Sequence, residues 1–154
     1  MRDPTSQRAR ITFAGLHDEH GYLGNFYPAP FTLKGVMWRT VEHYFQSQKF
    51  AGTEHEEAIR RVASPTIAAR MGRSRARPLR PDWETVKEAI MLKALRAKFT
   101  QHPDLGERLR ATGDALLVEH RARDAYWGDG DDGHGDNRLG ALLMFVRAEL
   151  VRAT

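Results

Sequence analysis

The chain has 154 residues, 41% of them hydrophobic and 29% charged, a balance that fits one globular domain with one core and excludes a disordered chain. Cysteine is absent, which excludes disulfides, thiolate nucleophiles and cysteine-ligated metals, and no apolar run approaches the roughly 20 residues of a bilayer span. The N-terminus, MRDPTSQRARITF, has no apolar h-region, so the expected address is the cytoplasm, with no membrane partner. The formal net charge of +4 is uneven: Arg70, Arg73, Arg75, Arg77, Arg80, Lys87, Lys93, Arg96 and Lys98 are opposed within residues 70–98 only by Asp82, Glu84 and Glu88. Such a stretch favours an anionic partner, either a phosphorylated small molecule or nucleic acid.

Residues 1–9 are expected to form a poorly ordered tail and residues 10–154 a single domain. A short strand is predicted over 10–14. The segments 31–33 (FTL) and 36–38 (VMW), separated by Lys34-Gly35, predict a hairpin with a two-residue turn. Thr40 caps a helix through VEHYFQSQKF, and Thr53-Glu54-His55-Glu56 is a capping-box pattern that opens a second. Ser64-Pro65 places a cap and then proline at the first helical position of a third, through ARMG. Asp82 heads the longest helix, 83–99, where Val86, Ile90, Ala94, Leu95 and Ala97 recur near helical period. A short helix follows His102-Pro103 to about Leu109 and closes near Gly113; ALLVE, 115–119, predicts a buried strand. After the glycine–aspartate segment 126–137, Asp136 or Asn137 caps a last amphipathic helix whose Leu139, Leu142, Leu143, Val146 and Leu150 face a core. The fold class is mainly α (α+β), a single compact helical domain with a small β element contributed mainly by the N-terminal third.

Three segments can carry chemistry. On a helix, Glu42, Gln46 and Lys49 share one face at i, i+4 and i+7, a pattern that also fits a solvated stripe. Tyr44, Phe45, Phe50 and the upstream Trp38 favour a site, because aromatic surroundings desolvate the carboxylate and the amine and move their pKa values. His43 lies about 100° away and reads as structural. The second segment is YWGDGDDGHGDN, 126–137. Its spacing fails the calcium-loop test: from Asp129, the sixth position is His134 rather than glycine, and the twelfth is Gly140 rather than glutamate. Its glycines instead suggest backbone that approaches a ligand, with Trp127 placed to stack on a planar base and an anion site at the helix start near Asn137. The third is ARMGRSRARPLR, 69–80, whose arginines can grip phosphate. The histidines show no metal-ligand spacing, and GxSxG, P-loop and HExxH motifs are all missing, so neither a metal nor a cofactor is expected.

Together GNFYPAPF (24–31), MWRTVEHYFQSQKF (37–50), the 64–103 segment, LLVEH (116–120) and AYWGDGDDGHGDNRLGALLM (125–144) resemble the NADAR superfamily, specifically its bacterial YbiA-like branch, across nearly the whole chain and in order. The resemblance implies a mainly helical fold and an N-glycosidase that cleaves phosphoribosylamino-pyrimidines of early riboflavin synthesis, releasing ribose 5-phosphate. Other branches remove ADP-ribose from guanine in nucleic acid, which is the close alternative; a non-catalytic ADP-ribose or nucleotide-binding module is a second. The family's polar set falls on Asn25, Glu42, Lys49, Trp127, Asp129 and Asn137. The chain departs from the frequent Ser-Asn-Phe of the first motif, having Gly24-Asn25-Phe26, which removes one hydroxyl contact or leaves it to another residue.

The implied catalytic residues are Glu42, Lys49 and Asp129. The implied substrate contacts are Asn25, Phe26, Tyr44, Gln46, Arg70, Arg73, Trp127 and Asn137. A glycosylamine can ring-open to an imine, so Lys49 can form a Schiff base with the sugar while Glu42 or Asp129 moves the proton. In the competing route a carboxylate activates water directly at C1, and Lys49 only holds the ligand.

Overall fold

Local side-chain chemistry starts three of the helices. Thr40, Thr53 and Ser64 lie in extended backbone, and each hydroxyl accepts from an N–H of the turn it caps: His43 for Thr40, His55 for Thr53, Thr66 and Ile67 for Ser64. In this computed structural model, which describes residues 8–154, the order is β1 (Arg10–Phe13), a 3-10 turn (Gly21–Leu23), β2 (Phe31–Leu33), β3 (Val36–Trp38), α1 (Val41–Gln48), α2 (Glu54–Arg61), α3 (Pro65–Arg73), α4 (Trp83–Gln101), α5 (Pro103–Ala111), β4 (Leu116–Glu119) and α6 (Arg138–Arg152). Helix far outweighs strand, as expected.

Four details differ from the sequence expectations. The strands make two two-stranded sheets: β2 pairs antiparallel with β3, while β1 pairs in parallel with β4, Arg10 opposite Leu116 and Phe13 opposite Glu119. Ten of the fourteen described strand residues still lie in the N-terminal third, as expected, and four in residues 116–119. Helix α1 stops at Gln48, with Lys49 as its C-cap. Asp82 makes no side-chain cap bond; its carboxylate is gripped by the two-residue neighbour Arg80 at 2.6 and 3.0 Å, and a charged fork outcompetes a neutral N–H. Asn137 precedes α6 in left-handed backbone (φ 50°) and likewise gives it no side-chain cap.

The chain divides into two compact units, Asn25–Pro103 (the central unit) and Met1–Gly24 with Asp104–Thr154 (the flanking unit). In the central unit α1 packs against α2, α3 and α4, and every residue of α1 is buried. Tyr44 of α1 sits edge-on to Trp38 at 5.1 Å and to Phe31 at 6.2 Å, closing the β2–β3 hairpin over the helix. His43 is fully buried between Thr40 Oγ1 (2.8 Å from Nδ1) and the Val62 carbonyl (2.8 Å from Nε2). A carbonyl only accepts, so Nε2 carries the proton and Nδ1 receives the threonine hydroxyl. Burial lowers its pKa, with the Val62 bond opposing and Arg39 assisting, and this histidine is a structural strut.

Glu56 ties three pieces of the central unit together. It takes Lys34 Nζ of the hairpin turn at 2.5 Å, Gln48 Nε2 at 2.8 Å and the Gly52 N–H at 2.9 Å. In the flanking unit β4 lies between β1 and α6, whose Leu139, Leu142, Leu143 and Val146 are buried and whose Leu150 is half-buried. Residues 1–7 of the expected tail lie outside the described residues, whereas Arg8 Nε donates to the Asp114 carbonyl and Ala9 O accepts from Leu116 N–H. No described helix is long and apolar enough to cross a membrane.

Candidate active site

In the central unit the polar face of α1 is inside the protein. Glu42, Gln46 and Lys49 are 4%, 6% and 8% exposed, which rules out the solvated stripe. Glu42 Oε1 accepts from Gln46 Nε2 at 2.8 Å across one helical turn. The Glu42 N–H donates to the Asn25 carbonyl at 3.2 Å, so the Asn25-Phe26 segment is laid against the first turn of α1. Asn25 turns its Nδ2 toward Met91 Sδ at 3.6 Å, and its Oδ1 is buried with no partner; the same is true of Gln46 Oε1. Two orphaned acceptors on one buried face are unusual, since buried polar groups are nearly always paired.

The approach of α3 explains how this face is held. Its inner side is Ala68, Ala69 and Gly72, small enough for α3 to lie directly on α1. A Cβ at position 72 would stand 1.9 Å from Gln46 Oε1, so glycine is the residue this contact admits. The Gly72 carbonyl accepts from Lys49 Nζ at 3.4 Å and from Arg75 Nη1 at 3.0 Å. The Lys49 ammonium also lies 5.9 Å from the Phe45 ring centre and 5.8 Å from that of Trp83, which pack on each other. Burial, assisted by Arg75 and Arg73 and opposed by Glu42, lowers the Lys49 pKa to about 8. An amine in that range is a usable nucleophile or proton carrier near neutral pH.

In the flanking unit, Asp129 is 6% exposed and receives His120 Nδ1 at 3.1 and 3.2 Å and the Arg121 N–H at 3.1 Å. Burial alone would raise its pKa, but the bonds from His120 and Arg121 outweigh it, so the carboxyl is held below its ordinary value and is ionised at neutral pH. The surrounding loop is stitched to itself: Asp129 N–H to Glu119 O, Gly135 N–H to Asp129 O, Asp136 N–H to Ala125 O and Leu139 N–H to Trp127 O. A Cβ on Gly135 would meet Gly128 O and Asp129 C at 2.7 Å, so the glycine there lets backbone approach backbone. Trp127 is half-buried, edge-on to Tyr126 at 4.9 Å, with its backbone N–H donating to Asp124 Oδ1 at 2.9 Å.

Asn25, Glu42, Gln46 and Lys49 thus come together in the central unit, with Arg73 acting on Lys49 through its charge. Tyr44 does not join them: its ring belongs to the hairpin core. Arg70 is exposed on α3, and Phe26 is half-buried beside Asn25. Asn137 commits its carboxamide to β4, Oδ1 accepting from Glu119 N–H at 3.0 Å and Nδ2 donating to Leu117 O at 2.8 Å. Sequence reasoning put Gly72 and Arg75 in a phosphate-gripping segment without placing them beside Lys49, and it overlooked Trp83 there and His120 on Asp129. Of the last two, only His120 carried a visible signal, as the end of LLVEH. Among the described residues no group of His, Asp and Glu side chains could hold a metal ion.

A carboxylate, an amine of lowered pKa and two waiting carbonyl acceptors can bind a hydroxyl-bearing ligand and exchange protons with it. Comparison with known proteins agrees with that chemistry. The N-glycosidase YbiA of Escherichia coli (strain K12) is 55% identical over 140 residues, covering 91% of this chain and 88% of the relative. An N-glycosidase of Nostoc punctiforme is 42% identical over 143 residues, covering 91% and 92%. A riboflavin biosynthesis protein of Vibrio vulnificus is 44% identical over 140 residues, which cover 91% of this chain but 38% of that longer protein. The NMR structure of the E. coli protein YbiA superposes with a TM-score of 0.88 at 52% identity, covering 97% of this chain and 89% of the other. The NADAR domain matches residues 12–151, and the chain belongs to that family.

Proposed function

We propose that the protein is an N-glycosidase that hydrolyses the bond between ribose C1 and the exocyclic nitrogen of a phosphoribosylamino-pyrimidine. The observation that carries this reading is the buried Glu42–Gln46–Lys49 face, with its lysine pKa near 8 and its two unpartnered acceptors. Relatives named N-glycosidase and riboflavin biosynthesis protein support the substrate class. In the reaction the sugar ring opens to an imine at C1, and neutral Lys49 adds to that carbon. The pyrimidine amine departs with a proton from Glu42, leaving C1 doubly bonded to Lys49 Nζ. Water, deprotonated by Glu42, adds to C1 and releases ribose 5-phosphate and free Lys49. One water is consumed per bond cleaved, and no cofactor enters.

The test is incubation with phosphoribosylamino-pyrimidine and, separately, with guanine-ADP-ribosylated DNA, following release of free ribose 5-phosphate or ADP-ribose. Release from the pyrimidine substrate is expected. Release from DNA alone would move the function to the ADP-ribosyl hydrolase branch, and binding without turnover of either would leave a binding module. The pH profile separates the two chemical routes. Lys49 must lose its proton to attack, so the covalent route predicts a rate that rises with pH up to about 8 and then levels. The direct route uses Lys49 as a charged donor and predicts a rate that falls above the same pH. Borohydride added during turnover should leave a reduced sugar on Lys49, detected by peptide mass spectrometry.

A further inference from the structure

The Gly72 carbonyl lies near the C-terminus of α3 and carries two cationic donors at once, Lys49 Nζ and Arg75 Nη1. Two cations are thereby held within two hydrogen bonds of each other by a single neutral oxygen. The partial negative charge at a helix C-terminus eases this arrangement without cancelling it. Arg73 adds a third positive charge, and both guanidinium groups act on Lys49 in the direction that like charges should.

Several arginines elsewhere in the chain are paired with a carboxylate. Arg60 and Arg61 share Glu57, Arg80 takes Asp82, and Arg110 takes Glu107. Arg73 and Arg75 have no carboxylate partner among the described residues, although both are exposed and free to reach one. Arg77, in the same turn, keeps a buried Nε–H without an acceptor. Beside the buried Lys49, two exposed guanidinium groups thus carry their charge with no carboxylate bound to either, and Glu42 opposes them at the lysine.

Resting on the N-glycosidase reading, we propose that Arg73 and Arg75 form, beside Lys49, the subsite for the 5-phosphate of the ribosyl substrate, a phosphomonoester dianion, and that Arg70 has no part in it. Lys49 Nζ and Arg75 Nη1 share one carbonyl oxygen, so a sugar carbon bound at Lys49 has the Arg75 guanidinium nearby for its phosphate. Guanidinium forks bind phosphate oxygens through paired, charge-assisted hydrogen bonds, which is the recognition an unphosphorylated riboside cannot obtain.

Calorimetric titration of the full chain with ribose 5-phosphate, ribose and ADP-ribose tests this without requiring turnover. Wild type should bind ribose 5-phosphate and not ribose. Arg73→Gln and Arg75→Gln should each weaken that binding by about tenfold, and Arg70→Gln by less than twofold. Arg75→Gln should also raise the pKa of Lys49, read as slower amine acylation at Lys49 at pH 8, a shift that a merely structural residue would not cause. Unchanged ribose 5-phosphate binding in a folded Arg75→Gln protein, or equal weakening in Arg70→Gln, would overturn the subsite. Tighter Arg75-dependent binding of ADP-ribose than of ribose 5-phosphate would overturn the monoester assignment in favour of a diphosphate. Arg75-dependent ribose 5-phosphate binding in a protein with no glycosidase turnover would uphold the subsite and discard the reaction. Turnover of the phosphoribosyl substrate with arginine-independent binding would do the reverse.

Discussion

The α1 face of the central unit and the 126–137 loop of the flanking unit are both dense in polar groups, and they treat those groups in opposite ways. The loop bonds to itself: its backbone N–H groups meet carbonyls of the same unit, Asp129 is surrounded by His120 and the Arg121 N–H, and Asn137 is used up on β4. The α1 face is more deeply buried, yet it leaves Asn25 Oδ1 and Gln46 Oε1 unpaired and holds Lys49 well below its ordinary pKa. Unsatisfied buried groups are costly, so a protein that keeps one on a rigid helix and another on the segment laid against it keeps them for something that arrives later. Glycine illustrates the same contrast. At Gly135 it lets the loop close on its own backbone, and at Gly72 it lets a second helix press on a side chain of the candidate site.

The largest expected effect is at the α1 face. Lys49→Ala and Glu42→Gln should each lower kcat/KM by about a thousandfold or more, the loss typical of a removed nucleophile or proton carrier. Thermal stability should stay near wild type, because Lys49 gains little from its strained burial. Near-wild-type rates in both variants would return this face to a structural role and erase the contrast with the loop.

Next comes Gly72→Ala. The new methyl group would press on Gln46 Oε1 and, at 2.9 Å, on Gln46 Cβ, so either α3 retreats or the amide swings away from Glu42. A fall in kcat of about tenfold to a hundredfold is expected, together with a stability loss of about 1–3 kcal/mol from overpacking. Adding Gln46→Ala should restore stability by making room, but not the rate, because the amide that holds Glu42 is then gone. Recovery of both would show that this hold is irrelevant to turnover.

Much of this was legible because it is local. Thr40, Thr53 and Ser64 announce their helices by residue type, and the i, i+4, i+7 pattern of Glu42, Gln46 and Lys49 follows from helical period alone. The misreadings share a physical cause, competition from a group that sequence order does not bring to mind. Asp82 is a good cap on paper, but Arg80 takes its carboxylate. Tyr44 looks like a ligand contact, but Trp38 and Phe31 claim its ring. The parallel pairing of β1 with β4 joins segments about a hundred residues apart, beyond the reach of periodicity. The contact of Gly72 with Gln46 depends on how closely two helices pack, which no motif states.

Asn137 gives the smallest effect and the sharpest test of the loop's side of the comparison. Family resemblance marks it as a substrate contact, whereas its carboxamide bridges the Glu119 N–H and the Leu117 carbonyl of β4. Replacing it by alanine removes both hydrogen bonds and leaves two strand groups to find water or go unmet. A loss of about 1–2 kcal/mol in denaturant unfolding is expected from bonds of this kind. Alanine also accepts left-handed backbone less readily than asparagine does, which adds a few tenths in the same direction. The KM of the folded enzyme should stay within about twofold of wild type, because the amide acts on the strand. Asn137→Asp separates the two roles further: a carboxylate can still accept from Glu119 N–H but cannot donate to Leu117 O, so it should recover about half the lost stability. A large rise in KM at unchanged stability would instead make Asn137 a ligand contact rather than a support of β4.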